Sequence, residues 1–171
     1  MVPTQVVEGP RDSFGRMAIQ LPVELEPIAF LLGTWRGDGE GIYPGVAPFR
    51  YTEELAFEHV GDVFLLVTES SWTPDGAPLH FERGTLRPVG DGGVDLTLAH
   101  PIGVAEVSEG TVEGTTVDLA STAIVRTATG SPVTEIVRRY RREGERLSYE
   151  VDMAMDGVAR TFHVRATLGR A

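Results

Sequence analysis

A run of glycines beside a tryptophan is the feature that most restricts the fold of this chain. Residues 30–45 read FLLGTWRGDGEGIYPG, with glycines at positions 33, 37, 39 and 41 and with Trp35 among them. Glycine within a strand pattern marks a bulge, a bend or a close backbone approach, and several in one strand indicate tight coiling, as at a barrel corner. Tryptophan supplies a large apolar surface that anchors such a coil. The stretch predicts one strand of a β-barrel and names no activity by itself.

Alternation of apolar and polar residues continues after this stretch and predicts strands. In residues 49–59, one face carries Phe49, Tyr51, Leu55, Phe57 and His59. Turn signals separate about ten such segments, at 73–78, 90–93, 143–145 and 156–157. The pattern predicts an all-β fold, an antiparallel barrel of about ten strands. A short N-terminal helical segment within residues 22–32 would plug one end.

Length and composition predict one domain and restrict its partners. Among the 171 residues, we expect 1–20 to form a flexible leader and 21–171 the barrel domain. The formal charge is −10, so nucleic acid and anionic membrane surfaces are poor partners. No signal peptide or apolar run of transmembrane length is recognisable. The absence of cysteine is compatible with a cytoplasmic location.

Four histidines are the candidates for metal ligation or proton transfer: His59, His80, His100 and His163. Their spacing matches no zinc motif, which argues against a structural zinc site. Single histidines on separate strands of a barrel can still converge inside it, although an isolated histidine is more often a hydrogen-bonded structural residue.

Other reactive groups give weaker signals. No Gly-x-Ser-x-Gly motif is present, and Glu53 and Glu54 face opposite sides of a strand, so they cannot form a carboxylate dyad. Arginines 138, 139, 141 and 142 are interpreted as a solvated strand end. The alternative is that one of them pairs with an anionic group at a cavity mouth.

Several ordered motifs resemble the nitrobindins, haem-binding β-barrels similar to fatty-acid-binding proteins. The sequence GTWRGDG at 33–39, followed by Tyr43-Pro44, is similar to the family signature Gly-x-Trp-x-Gly-x-Gly. Further similar segments follow in the family's order, at 48–65, 78–87, 98–107, 147–153 and 162–170. The resemblance extends from about residue 27 to the C-terminus and implies a haem b cofactor.

The resemblance also implies roles for particular residues. His163 matches the axial iron ligand on the last strand, and His80 and His100 match the distal side. Met153 would pack against the macrocycle, and Ser131 stands where many bacterial members carry a lysine near the haem edge. The signature residues Thr34 and Trp35 are expected to contact the cofactor. Family members are described as isomerising peroxynitrite to nitrate and as reacting with nitric oxide.

Strand alternation conflicts with this assignment at one position. Phe162, Val164, Ala166 and Leu168 share one face of the last segment, and His163 lies on the other. Simple alternation would send the apolar set inward and His163 outward. We expect His163 to face the cavity, as the resemblance implies.

Three hypotheses follow for the function. The first is a haem protein whose small ligands are peroxynitrite and nitric oxide. The second is a haem-free carrier of a fatty acid or another small apolar ligand. The third is an interaction domain without a small ligand. Residues 63–67, apolar on both faces, would be covered by the N-terminal segment or by a second subunit, so a homodimer is also expected.

Overall fold

The computed structural model describes residues 20–171. The flexible leader expected at 1–20 lies outside these residues, except for Gln20. Among residues 20–171, no helix combines the length and hydrophobicity required to cross a membrane. One 3₁₀ helix, Val23–Leu31, precedes ten strands: β1 Gly33–Tyr43, β2 Val46–His59, β3 Leu65–Trp72, β4 Pro78–Pro88, β5 Gly93–His100, β6 Val104–Glu113, β7 Thr116–Arg126, β8 Val133–Glu143, β9 Arg146–Met155 and β10 Val158–Arg170.

The ten strands form a closed antiparallel barrel in which each strand pairs with the next in sequence. Closure comes from pairing of β1 with β10, where Trp35 lies opposite Arg170 and Gly41 lies opposite Val164. This arrangement confirms the predicted all-β barrel. Because a closed sheet has no free edge, every strand has a backbone partner on both sides.

The helix seals one end of the barrel, which we call the closed end. Leu25, Ile28 and Leu31 are fully buried there, together with Trp35 of β1. The indole Nε1 of Trp35 donates a 2.7 Å hydrogen bond to the carbonyl oxygen of Leu31, which fixes the helix on the strand. Pro27 lies within the helix and lacks the N–H that a regular α-helix would use, consistent with a short 3₁₀ segment.

The glycines of β1 make room for aromatic rings. Gly39 lies opposite Tyr51, and Gly41 lies opposite Phe49 on β2. A Cβ added at either glycine would lie well inside van der Waals contact with the facing ring. The rings therefore pack directly on the β1 backbone, and both line the interior near the opposite, open end.

Two of the irregularities in strand pairing lie beside His163. The register between β1 and β2 shifts between Gly41 and Tyr43. The register between β10 and β9 shifts between Phe162, which faces Asp152, and Val164, which faces Val151. One extra residue, His163, is therefore accommodated in β10 as a β-bulge.

Candidate functional site

The open end of the barrel contains a cavity of about 370 Å³. Five of the residues for which the sequence predicted a cofactor contact line it together: His80, His100, Ser131, Met153 and His163. An apolar rim adjoins them, formed by Val46, Phe49, Leu79, Ile102 and Val133. A concave apolar pocket with a few polar groups is typical of a small-ligand or cofactor site.

His163 is oriented by a backbone carbonyl. Its Nδ1 lies 2.8 Å from the carbonyl oxygen of Ile42, an acceptor, so Nδ1 carries the proton and Nε2 keeps its lone pair. Burial lowers the pKa of His163, which favours the neutral ring. The Tyr43 ring packs edge-on against the imidazole, with 5.8 Å between centroids. Such a neutral, oriented imidazole is suited to metal ligation.

The bulge in β10 explains why simple alternation fails at His163. Because two residues of β10 oppose one of β9 at this point, His163 and Val164 both line the cavity. After the bulge alternation resumes, and Ala166 and Leu168 are buried. The interior position of the predicted iron ligand therefore depends on one inserted residue.

A charged cluster occupies the wall beside the histidines. Arg138 is only 5% exposed, and its Nη2 donates to Glu82 Oε1 at 2.8 Å and to Glu106 Oε2 at 2.9 Å. Glu82 Oε1 also lies 3.2 Å from His80 Nε2 and 3.2 Å from His100 Nδ1. The solvated-surface interpretation is therefore wrong for Arg138. This arginine does pair with anionic groups, as the alternative held, but it does so within the buried wall and not at the cavity mouth. The partners are two glutamates of this chain.

The charges of this cluster balance one another. Burial would raise the pKa of Glu82, but Arg138 and His100 hold that pKa well below its usual range. Burial would also raise the pKa of Glu106, but Arg138 and His100 again lower it, and the pKa lies below its usual value. Burial would lower the pKa of His100, but the carboxylates of Glu106 and Glu82 outweigh it and raise the pKa to about 9. Two carboxylates thus face two cations.

Two further buried carboxyl groups lie on β2 and β3. Tyr149 Oη donates a 2.6 Å hydrogen bond to Glu53 Oε2, and Tyr51 Oη lies 2.9 Å from Tyr149 Oη. Burial and then the charge of Glu69 raise the pKa of Glu53 well above its usual value. Burial and then the charge of Glu82 raise the pKa of Glu69 to about 7. Both groups therefore keep a proton to a higher pH than an ordinary glutamate does.

Thr34 and Trp35 lie apart from the cavity. Trp35 is fully buried at the closed end, between the guanidinium groups of Arg142 and Arg170, which lie 5.6 and 4.7 Å from its ring. The carbonyl oxygen of Thr34 accepts a hydrogen bond from the N–H of Ala171. The signature tryptophan thus has a structural role here, and neither residue lines the cavity.

Sequence reasoning did not place five ionisable groups inside the barrel: Glu53, Glu69, Glu82, Glu106 and Arg138. The signal that could have revealed them is alternation. Arg138 is two residues from both Ile136 and Tyr140, which are buried on the same face of β8. Glu69 follows Leu65 and Val67 in the same way on β3. Each charged residue occupies an inward position of an otherwise apolar strand face.

The open end fits the haem that the family resemblance implies. His163 provides an imidazole with a free Nε2, and the apolar rim provides contact surface for a flat macrocycle. Met153 lies in the same lining and adds a polarisable thioether contact. The donor set and the surrounding surface are therefore compatible with a haem bound by one histidine.

Comparisons with known proteins all indicate the same family. A family model described as "THAP4-like, heme-binding beta-barrel domain" matches residues 24–170. "Peroxynitrite isomerase 2" of Mycobacterium marinum is 41% identical over 159 residues, covering 90% of this chain and 99% of that protein. "Peroxynitrite isomerase 1" of Mycobacterium tuberculosis is 40% identical over 162 residues, with 90% and 99% coverage.

A solved structure has the same fold. It is titled "Crystal Structure of Rv2717c from M. tuberculosis" and superposes with a TM-score of 0.83 at 39% identity, covering 89% of this chain and 99% of that one. Together with the match over residues 24–170 and the cavity around His163, this establishes the family. The chain belongs to the nitrobindins, the THAP4-like haem-binding β-barrels.

Proposed function

We propose that this protein binds haem b through His163 and isomerises peroxynitrite to nitrate. The observation that carries the proposal is the orientation of His163, whose Nδ1 is engaged by the Ile42 carbonyl so that Nε2 remains available as a ligand. Relatives at about 40% identity over most of the chain are named peroxynitrite isomerases, which supports the reaction. We also propose that nitric oxide binds at the same position.

The protein's contribution is to hold the cofactor and to leave one side of it accessible. When bound, haem iron supplies the open coordination position at which peroxynitrite rearranges to nitrate. The Ile42 carbonyl fixes the ring tautomer of His163, and the apolar rim excludes water from the cofactor faces. Ser131 is a candidate partner for a polar haem edge, since it lies in the cavity lining and its backbone N–H is anchored on the Ile102 carbonyl.

Of the two other histidines, His80 is the better candidate for contact with a small ligand. The side chain of His80 is 30% exposed, whereas that of His100 is 3% exposed and lies between Glu82 and Glu106. A group that meets an incoming anion must be accessible from the cavity mouth. We therefore assign His80 a modest role in ligand binding and His100 a role in the charged cluster.

The alternative, a haem-free carrier of fatty acids, is less well supported. A fatty carboxylate bound inside a barrel requires a cation, and the chain contains no lysine. Arg138 is the single arginine among the cavity-lining residues of the described chain, and it already pairs with Glu82 and Glu106. The interior therefore offers a carboxylate no unpaired cation.

The decisive experiment is haem titration of the apoprotein, followed by absorption spectroscopy. Wild type should bind one haem and show a Soret band, whereas His163→Ala should lose stoichiometric binding or bind weakly with a shifted band. His80→Ala should retain the haem and change mainly ligand-binding rates. Nitrate yield from peroxynitrite should fall with haem content. An unchanged spectrum in His163→Ala would reject the ligand assignment.

We also propose a homodimer in the cytoplasm. Val60 and Val63, beside the β2–β3 turn, are exposed apolar residues that a second subunit would cover, although Leu65 and Val67 are buried in the barrel. The absence of cysteine is compatible with a reducing compartment. Sedimentation that gives only monomer at micromolar concentration would reject the dimer, and cell fractionation tests the location.

A further inference from the structure

A second group of metal-ligand side chains lies inside the barrel, on strands β4 and β5. It consists of His80, Glu82 and His100, whose ligand atoms all lie within 4.8 Å of one another. His80 and Glu82 are two residues apart and so share the inward face of β4. The register that pairs Arg83 with Ala99 brings Glu82 and His100 to opposite positions. Adjacent strands thus assemble a site that spacing along the sequence does not reveal.

The geometry of the three atoms suits a small cation. Glu82 Oε1 lies 3.2 Å from both His80 Nε2 and His100 Nδ1. Ligand atoms about 2.0–2.2 Å from a tetrahedral zinc ion are separated by roughly 3.3 Å, which is close to the spacing observed. Nε2 of His80 already contacts Glu82. A bound ion would therefore take the place of an existing contact of this ring nitrogen.

Glu69 provides an independent observation at the same place. It lies directly opposite Glu82 in the β3–β4 register, and both side chains line the cavity. Glu69 is 8% exposed, and its Oε2 has no hydrogen-bond partner within residues 20–171. Two carboxylates directly opposite one another inside a barrel repel unless a proton or a cation lies between them. The strand beside the group formed by His80, Glu82 and His100 therefore carries a buried carboxyl oxygen that has no hydrogen-bond partner among the described residues.

Supporting groups for such an ion are also present. His100 Nε2, on the far side of the ring from Glu82, lies 3.3 Å from Glu106 Oε2, an ion-pair distance with an angle too poor for a hydrogen bond. Ser108 Oγ donates to Glu106 Oε1 at 2.7 Å and holds that carboxylate. A carboxylate behind the second ring nitrogen is the usual arrangement at metal-ligating histidines.

Arg138 would keep a partner if Glu82 turned to an ion. Besides its bond to Glu82, it donates to Glu106 from Nε, at 3.2 and 3.1 Å, and from Nη2 at 2.9 Å. Release of Glu82 would therefore leave the guanidinium paired with Glu106. Glu82 can therefore bind a cation while Arg138 remains paired with Glu106.

We propose that the barrel interior binds one divalent transition-metal ion of the zinc class, with His80, Glu82 and His100 as ligands. Both imidazoles must be neutral to bind the ion, so the ion takes the place of a ring proton. Three protein ligands leave the fourth tetrahedral position open, and the ion links β4 to β5 while Glu69 adds negative charge beside it. The site uses no atom of His163, although both lie in the same cavity, so the haem-free protein is the form that tests it.

The test is titration of the full-length, haem-free, chelator-treated protein with Zn²⁺ by calorimetry, and with Co²⁺ by visible absorption. Wild type should bind one Zn²⁺, and the Co²⁺ complex should have the strong visible bands of four-coordinate geometry. His100→Gln should weaken Zn²⁺ binding by more than about 100-fold, because loss of an outer-shell partner alone costs about 10–100-fold. Glu69→Gln, which keeps size and hydrogen-bonding capacity, should weaken it by about tenfold or more.

Two histidine variants serve as matched controls. His163→Ala removes the proposed haem ligand, and His59→Gln alters a histidine on β2 at the closed end; both should bind Zn²⁺ as wild type does. If His100→Gln does not fold, as judged by circular dichroism, Glu69→Gln carries the test. The proposal is overturned if wild type binds no stoichiometric Zn²⁺, if His163→Ala loses it, or if Glu69→Gln binds it unchanged. Haem titration of the same variants tests the haem proposal separately.

Discussion

The two ends of the barrel are built from the same ten strands but contain opposite chemistry. At the closed end, Leu25, Ile28, Leu31 and Trp35 are fully buried and apolar. Towards the open end, four glutamates are at most 9% exposed: Glu53, Glu69, Glu82 and Glu106. Burying apolar surface stabilises a fold, whereas burying a carboxyl group costs free energy unless it is paired or protonated. We infer that the closed end supplies stability and that the open end is maintained for binding.

The largest expected effect is at the closed end. Trp35→Ala should lower the free energy of unfolding by about 3–5 kcal/mol, since it removes a fully buried indole and leaves a cavity. Urea denaturation measures the change. His163→Ala, the corresponding variant of the open end, should change stability by less than about 1 kcal/mol. Equal losses in the two variants would contradict the division between the ends.

The next effect concerns the charged cluster. Arg138→Met should lower the free energy of unfolding by about 3 kcal/mol, because Glu82 and Glu106 would be buried without their guanidinium partner. Arg139→Met is a matched control on the same strand. Arg139 points outward and pairs with Asp118 in solvent, so the change should stay below about 0.5 kcal/mol. Thermal unfolding of both variants would sharpen the comparison, and a tolerated Arg138→Met would refute it.

A smaller effect is expected where β1 approaches its neighbour. Gly39→Ala should lower the free energy of unfolding by about 1–3 kcal/mol, because the added Cβ overlaps the Tyr51 ring and forces it to move. Gly169→Ala is the control on β10, where an added Cβ meets nothing within 4 Å. Chemical denaturation of both proteins gives the difference. Equal stabilities would show that the Tyr51 ring moves without cost.

The smallest effect depends on pH. The pKa of Glu53 is raised in the folded protein by burial and by Glu69 and Glu82, although Tyr149 and Arg138 oppose the rise. Above the ordinary value of 4.5, the folded state then holds more protons than the unfolded chain, so this group lowers stability as the pH rises. Glu53→Gln should therefore gain stability relative to wild type between pH 5 and pH 8. Glu54→Gln, on the outer face, should show no such trend.

Much of the fold could be predicted because alternation and turn residues are local signals. The same signals identify the inward faces, and they place Arg138 between Ile136 and Tyr140, although a run of four arginines in five residues suggested solvent. Two features could not be predicted in this way. The inward position of His163 depends on a bulge, and the opposition of Glu69 and Glu82 depends on the β3–β4 register. Both are properties of strand pairing, which no single strand specifies.

The hydrogen bond between His163 and Ile42 also has a consequence for folding kinetics. It joins residues 121 positions apart, on the two strands whose pairing closes the barrel. Contacts of such large sequence separation form slowly, because a long segment of chain must first be ordered. A partly folded chain therefore lacks the oriented imidazole even when most strands are in place. Haem uptake during refolding would report closure of the barrel, and cofactor added early would not be expected to accelerate the preceding steps.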